Sequence, residues 1–223
     1  MTPAWTALLL SLKVAGCATL INLFFGVGTG FALARLRFPG RDLLASVLTL
    51  PMVMPPTVLG YYLLVLLGRR GAIGAWLQDT FGFSFIFTWQ GAVIASAIAS
   101  FPLVFRPARA AFEAVDSQLE QAARVLGVSG IAMFLRVTLP LAWRGVLAGL
   151  LLAFARAMGE FGATLMVAGS IPGKTQTLSI AVYEAVQAGQ DDTANALVVL
   201  TSMVCIAVLL IAGRLAPARA GRE

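Results

Sequence analysis

Residues 106–143 read RPARAAFEAVDSQLEQAARVLGVSGIAMFLRVTLPLAW. The stretch is too polar to cross a membrane and too apolar for a free linker. Leu119, Ala122, Ala123 and Leu126 recur at helical spacing. Asp116 or Ser117 can accept hydrogen bonds from the first turn of that helix, and Gly127 can end it. The pattern predicts a short helix with one small-residue surface. Such a surface suits a groove on a partner, and it equally suits an ordinary packing helix.

On both sides of this stretch the chain turns apolar. About twenty apolar residues span a bilayer as a helix. Five segments qualify, over residues 5–34, 43–67, 89–106, 141–168 and 194–212. The first is too long for a signal-peptide core and lacks a small-residue cleavage site before a polar start. The second carries Pro51, Pro55 and Pro56. Composition agrees: 59% of the 223 residues are hydrophobic, only 12% are charged, and the mean hydropathy is +0.89. A soluble domain needs roughly a quarter of its residues charged. The fold class expected is an all-α, polytopic transmembrane protein with about five spans.

The net charge of +6 places the basic residues in short turns between apolar runs, which argues for topology rather than for nucleic-acid binding. Arg35, Arg37 and Arg41 follow the first span. Arg106, Arg109, Arg124, Arg136 and Arg144 lie in or beside the long connector, and Arg214, Arg219 and Arg222 lie in the tail. The other connectors hold only Arg69, Arg70 and Lys174. The positive-inside bias therefore sets the N-terminus outside and the C-terminus in the cytoplasm. Two outer connectors, 71–84 and 178–187, read as short amphipathic helices.

Several chemistries are excluded. There is no histidine, so no Ser/His/Asp or Cys/His constellation exists, and metal chemistry would rest on carboxylates alone. Cys17 and Cys205 sit in apolar runs and form no disulfide framework. No catalytic residue, metal or cofactor is expected. Residues 168–175, AGSIPGKT, approach a phosphate loop, but Ala168 stands at its first glycine, Pro172 interrupts it, and it follows a membrane span rather than a strand. ATP hydrolysis is expected on a separate subunit.

Gln121-Ala122-Ala123, Gly127 after three intervening residues, and Val137-Thr138-Leu139-Pro140 after nine more resemble the EAA loop of binding-protein-dependent ABC importer permeases. Gln121 stands where that pattern has Glu, with Glu120 adjacent, and Val137 replaces Ile. The resemblance implies a membrane domain over residues 7–213, with residues 107–140 as the coupling loop that docks on an ATP-binding subunit. Glu120, Gln121, Ala122, Ala123, Gly127, Leu139 and Pro140 would carry the coupling.

Arg156 and Glu160 lie four apart inside the fourth span, so they can share a helix face and pair. They read either as a buried structural pair or as a lining for an anion path, with Thr164 a turn further along. Lys13 can snorkel outward from the first span. The run 155–164, ARAMGEFGAT, followed by GSIPGKTQT at 169–177 and AVY at 181–183, resembles the molybdate branch of oxyanion permeases. So does LPMVMPPTVLGY at 50–61, whose Pro55 and Pro56 suit a kink or gate.

That resemblance implies a molybdate permease of the inner membrane. Tungstate and sulfate or thiosulfate are the alternative substrates, and an ATP-independent channel or scaffold is the rival class. It further implies a homodimer with the path at its axis, two ATP-binding subunits, a periplasmic or surface-tethered molybdate-binding protein and a lipid bilayer as partners, and no nucleic acid.

Overall fold

The computed structural model describes residues 3–215. Arg219 and Arg222, counted above with the inner tail, lie outside the described residues. The elements are α1 (Pro3–Arg35), α2 (Arg41–Val53), α3 (Pro56–Leu67), α4 (Ala72–Phe81), α5 (Trp89–Glu113), α6 (Ser117–Val125), α7 (Gly130–Met133), a π-helical turn (Phe134–Thr138), α8 (Leu139–Met158), α9 (Gly162–Ala168), α10 (Leu178–Gln187) and α11 (Asp191–Leu215). Among the described residues there is no strand, and the all-α membrane fold is as expected.

The buried clusters set the direction of each helix. Ala7, Leu8 and Val14 of α1 pack with Ala92 and Val93 of α5, with Ala157 and Met158 at the end of α8, and with Leu197 near the start of α11. At the other end, Val27 of α1 packs with Val104, Ala108 and Phe112 of α5 and with Ala142 and Val146 at the start of α8. So α1, α5 and α11 run one way and α8 runs against them. Buried Asn22 of α1 donates to the Ala97 carbonyl at 3.0 Å and to Ser100 Oγ at 3.0 Å. These are the satisfied polar contacts that hold helices together where no water is available.

Because α1 and α5 are parallel, the chain between them must cross back. It does so as α2 and α3. Asp42 and Arg41 of α2 meet Arg109 and Glu113 at the inner end of α5. Leu59, Leu63 and Leu67 of α3 pack with Ala95 and Ala99 in its outer half. The crossings therefore number five.

The second span departs from a continuous helix over 43–67. It is broken between Val53 and Pro56, and its halves are bent by 110°. The break itself has a local cause. Pro55 and Pro56 offer no N–H, and Met54 takes an extended conformation (φ −70°, ψ 143°), as residues before proline do.

The fourth span departs as well. A continuous helix runs from Gly130 through the π turn to Met158, so it begins inside the expected connector. It then breaks, and α9 restarts at Gly162. Helix α5 likewise continues past residue 106 to Glu113, through Pro102 and Pro107. The cytoplasmic connector thus shrinks to the neighbourhood of α6. The outer connectors do hold short helices, α4 and α10, and α10 buries Leu178, Ile180 and Ala185.

Candidate functional site

Two places gather the residues singled out by sequence: the inner helix α6, and the meeting of the two broken spans.

Helix α6 begins at Asp116, whose carboxylate accepts from Gln118 N at 2.8 Å. It ends with Val128 N donating to the Ala123 carbonyl at 3.1 Å, while Gly127 turns the chain at φ +76°. A left-handed residue at this point of a helix end is the usual place for glycine. Ser129 then accepts from Ala132 N at 3.4 Å and starts the next helix.

The faces of α6 are sharply divided. Glu120 and Ala123 are its buried residues. Glu120 is only 5% exposed. Its Oε1 accepts from Arg35 Nη2 at 2.6 Å and Nε at 3.1 Å, and from Thr138 Oγ1 at 2.8 Å. The side chain expected among the docking contacts is therefore turned into the protein. Gln121, Ala122 and Gly127 face outward. Around them Leu119, Val125, Leu126 and Ile131 are exposed, Val125 at 87% and Leu126 at 81%. Of the apolar positions read as one stripe, only Ala123 packs inward. Leu139 is partly buried beside the inner core and Pro140 is exposed at the start of α8.

The second place lies within the membrane. Gly159 closes α8, Glu160 N donates to the Ala157 carbonyl at 3.2 Å, and the chain turns. Glu160 Oε1 accepts from Ala163 N at 2.9 Å, so the carboxylate caps the first turn of α9. Its Oε2 lies 2.6 Å from Arg156 Nη1. Glu160 is 2% exposed, whereas the Arg156 side chain is 37% exposed. The pair does not share one helix face, as sequence spacing suggested. It bridges a helix end and the break beyond it. Thr164 accordingly does not continue their face: it is fully buried, with Oγ1 3.5 Å from Ser96 Oγ of α5.

The two breaks touch. A Cβ on Gly162 would lie 2.8 Å from Pro56 Cβ, and one on Gly60 would lie 2.9 Å from Ala163 Cα. Only glycine permits this approach. Pro55 and Pro56 are exposed at the junction, and α2 buries none of its own residues. Near the outer surface Lys13 Nζ sits 3.5 Å above the Trp89 ring, a cation–π contact. The phosphate-loop-like stretch is an outer turn after α9, in which Thr175 Oγ1 accepts from Ile171 N at 3.0 Å.

Sequence reading missed Arg35 as the partner of Glu120, and no local signal pointed to it. It also missed Gly60. The Gly162 contact with Pro56 joins two motifs that sequence had singled out separately.

The molybdenum transport system permease protein ModB of Escherichia coli (strain K12) is 47% identical over 224 residues, covering 99% of this chain and 98% of that protein. The sulfate transport system permease protein CysW of Synechococcus elongatus is 38% identical over 217 residues, covering 97% of this chain and 75% of that one. The fold is shared with a chain of a bacterial alginate ABC transporter in complex with an alginate pentasaccharide-bound periplasmic protein. The TM-score there is 0.74 at 17% identity, over 95% of this chain and 77% of that chain. The sequence pattern of the binding-protein-dependent transport system inner membrane component matches residues 25–220. The outward face of α6, the two broken spans and these likenesses agree: the chain belongs to the family of binding-protein-dependent transport system inner membrane components, the permease subunits of ABC importers.

Proposed function

We propose that this chain is the membrane subunit of an ATP-driven molybdate importer, working as a homodimer with two ATP-binding subunits and a periplasmic or surface-tethered molybdate-binding protein. The observation that carries the reading is the outward face of α6. Leu119, Val125 and Leu126 stand exposed on or at the end of this capped helix, and Ile131 stands exposed at the start of α7 beside it. Contiguous exposed apolar surface beside small residues marks a docking site. Gln121, Ala122 and Gly127 shape that face, Ala123 seats the helix from behind, and Leu139 and Pro140 carry the loop into α8. An ATP-independent channel would leave it without a use.

The junction of breaks supports the anion path. Half-helices broken in mid-membrane are how transporters present ion and substrate sites. Arg156 reaches open space there and is held by Glu160, so its charge is available yet tempered. A paired arginine attracts an oxyanion without trapping it. In this reading the exposed Pro55 and Pro56, which meet Gly162, line the path as well, and Thr164, buried against Ser96, supports α9 behind them. The bare flank of α2, with Leu43, Val47 and Val53 exposed, supports a second copy completing the enclosure. Likeness to the molybdenum system exceeds likeness to the sulfate system, which favours molybdate.

The test is ATP-dependent uptake of labelled molybdate in vesicles holding this chain, its ATPase and its binding protein, with tungstate and sulfate as separate competitors. Uptake blocked by tungstate and indifferent to sulfate is expected. Block by sulfate moves the chain to the sulfate branch. No oxyanion uptake with an active ATPase present overturns the substrate assignment.

A further inference from the structure

Helix α6 is attached to the rest of the chain by two turns, at Ala114–Asp116 and at Gly127–Ser129. Its main packing neighbours among the described residues are α7 and the π turn. A short helix on two turns rotates when pushed, and a push on its outer face would be lost in that rotation. Besides buried Ala123, one polar group opposes this. A single carboxylate oxygen, Glu120 Oε1, takes hydrogen bonds from Arg35 at the inner end of α1 and from Thr138 in the π turn that leads into α8. The donors lie 85 and 18 residues away in sequence. Thr138 is fully buried and Glu120 nearly so. Hydrogen bonds from two different elements, one of them charge-assisted, fix that oxygen in place and so oppose rolling of the helix that carries it.

We propose that Glu120 is the positioning residue that locks α6 to α1 and α8 together, so that motion of a docked ATPase reaches the broken fourth span instead of being spent in rotating α6. The proposal rests on the ATPase docking on α6 proposed above. It assigns Glu120 a place inside the lever, behind the docking face. The π turn strengthens it. Such turns are rare and frequently sit at functional sites, and this one carries Thr138 and runs directly into the helix that ends at Arg156.

The experiment uses the assembled complex in vesicles and reads two quantities: the amount of ATPase that co-purifies, and the number of ATP hydrolysed per molybdate taken up. Glu120→Gln keeps the side-chain volume and removes the charge. The ATPase should stay bound while ATP per molybdate rises about tenfold, within the range seen when a coupled pair is broken. Arg35→Met should do the same, and the double variant should be no worse than either single one, because both remove the same link. Thr138→Val keeps the ion pair and should raise the ratio about threefold.

An unchanged ratio in Glu120→Gln overturns the proposal, as does loss of the ATPase from that complex, which would make Glu120 part of the dock. If Glu120→Gln does not assemble, an unchanged ratio in Thr138→Val overturns it equally. The docking reading fails separately, if Leu126→Asp leaves the ATPase fully bound.

Discussion

Two buried glutamates each hold an arginine, and they do opposite things. Glu160 reaches back only four residues to Arg156 and forward three to Ala163 N. It shapes one short piece of chain, ending α8 and starting α9. Glu120 reaches across 85 residues to Arg35 and 18 to Thr138. It shapes nothing locally, since Asp116 and Gly127 already cap and end its helix. Instead it ties α6, which only turns join to its chain neighbours, to α1 and to the π turn before α8, two elements already packed on each other. Local ionic contacts build a break within a span; distant ones transmit motion between helices.

The sharpest way to break the comparison is Glu160→Ala. It removes the cap of α9 and leaves Arg156 unpaired inside the membrane. Breaking a buried pair costs about 3–5 kcal/mol, and the low end applies because Arg156 is partly exposed. A loss of about 3 kcal/mol is expected in denaturant unfolding of the detergent-solubilised protein. Glu160→Gln, which can still accept from Ala163 N, should lose less.

Next comes Gly162→Val. The new side chain meets Pro56, forcing the two breaks apart. Overpacking of this kind costs about 1–3 kcal/mol. Uptake should fall while ATPase co-purification stays normal, because the inner face is untouched.

Gly127→Ala meets no neighbour but strains the backbone at φ +76°. A left-handed alanine costs about 1–2 kcal/mol. ATPase affinity for the permease should weaken by about tenfold, and Gly127→Asn should weaken it less. The smallest change is Asp116→Ala. Losing this N-cap costs about 1 kcal/mol, visible as faster proteolysis near α6.

What sequence revealed follows the same division. The caps of α6, the turn at Gly127, the prolines of the second span and the Arg156–Glu160 pair were legible because each is a contact within a few residues. The two prolines at 55 and 56 announced a break, but the bend of 110° comes from what each half packs against, α2 on the inner end of α5 and α3 on α9. The extension of α5 past Pro107 was not legible. Burial of Phe112 between α1 and the inner core outweighs the missing proline hydrogen bonds. The Glu120–Arg35 tie was invisible for the same reason. Nothing near either residue requires the other, and only the parallel packing of α1 and α5 brings them together.

The most direct test of the account concerns the two faces of α6. In a background carrying Cys17→Ser and Cys205→Ser, Leu126→Cys and Ala123→Cys are compared by cross-linking in the complex assembled with the ATPase. Leu126 is 81% exposed and Ala123 is 8% exposed. Efficient cross-linking of Leu126→Cys to the ATPase, with little or none for Ala123→Cys, is the predicted result. Cross-linking of neither, in a complex that hydrolyses ATP and takes up molybdate, would contradict the assignment of α6 as the docking helix.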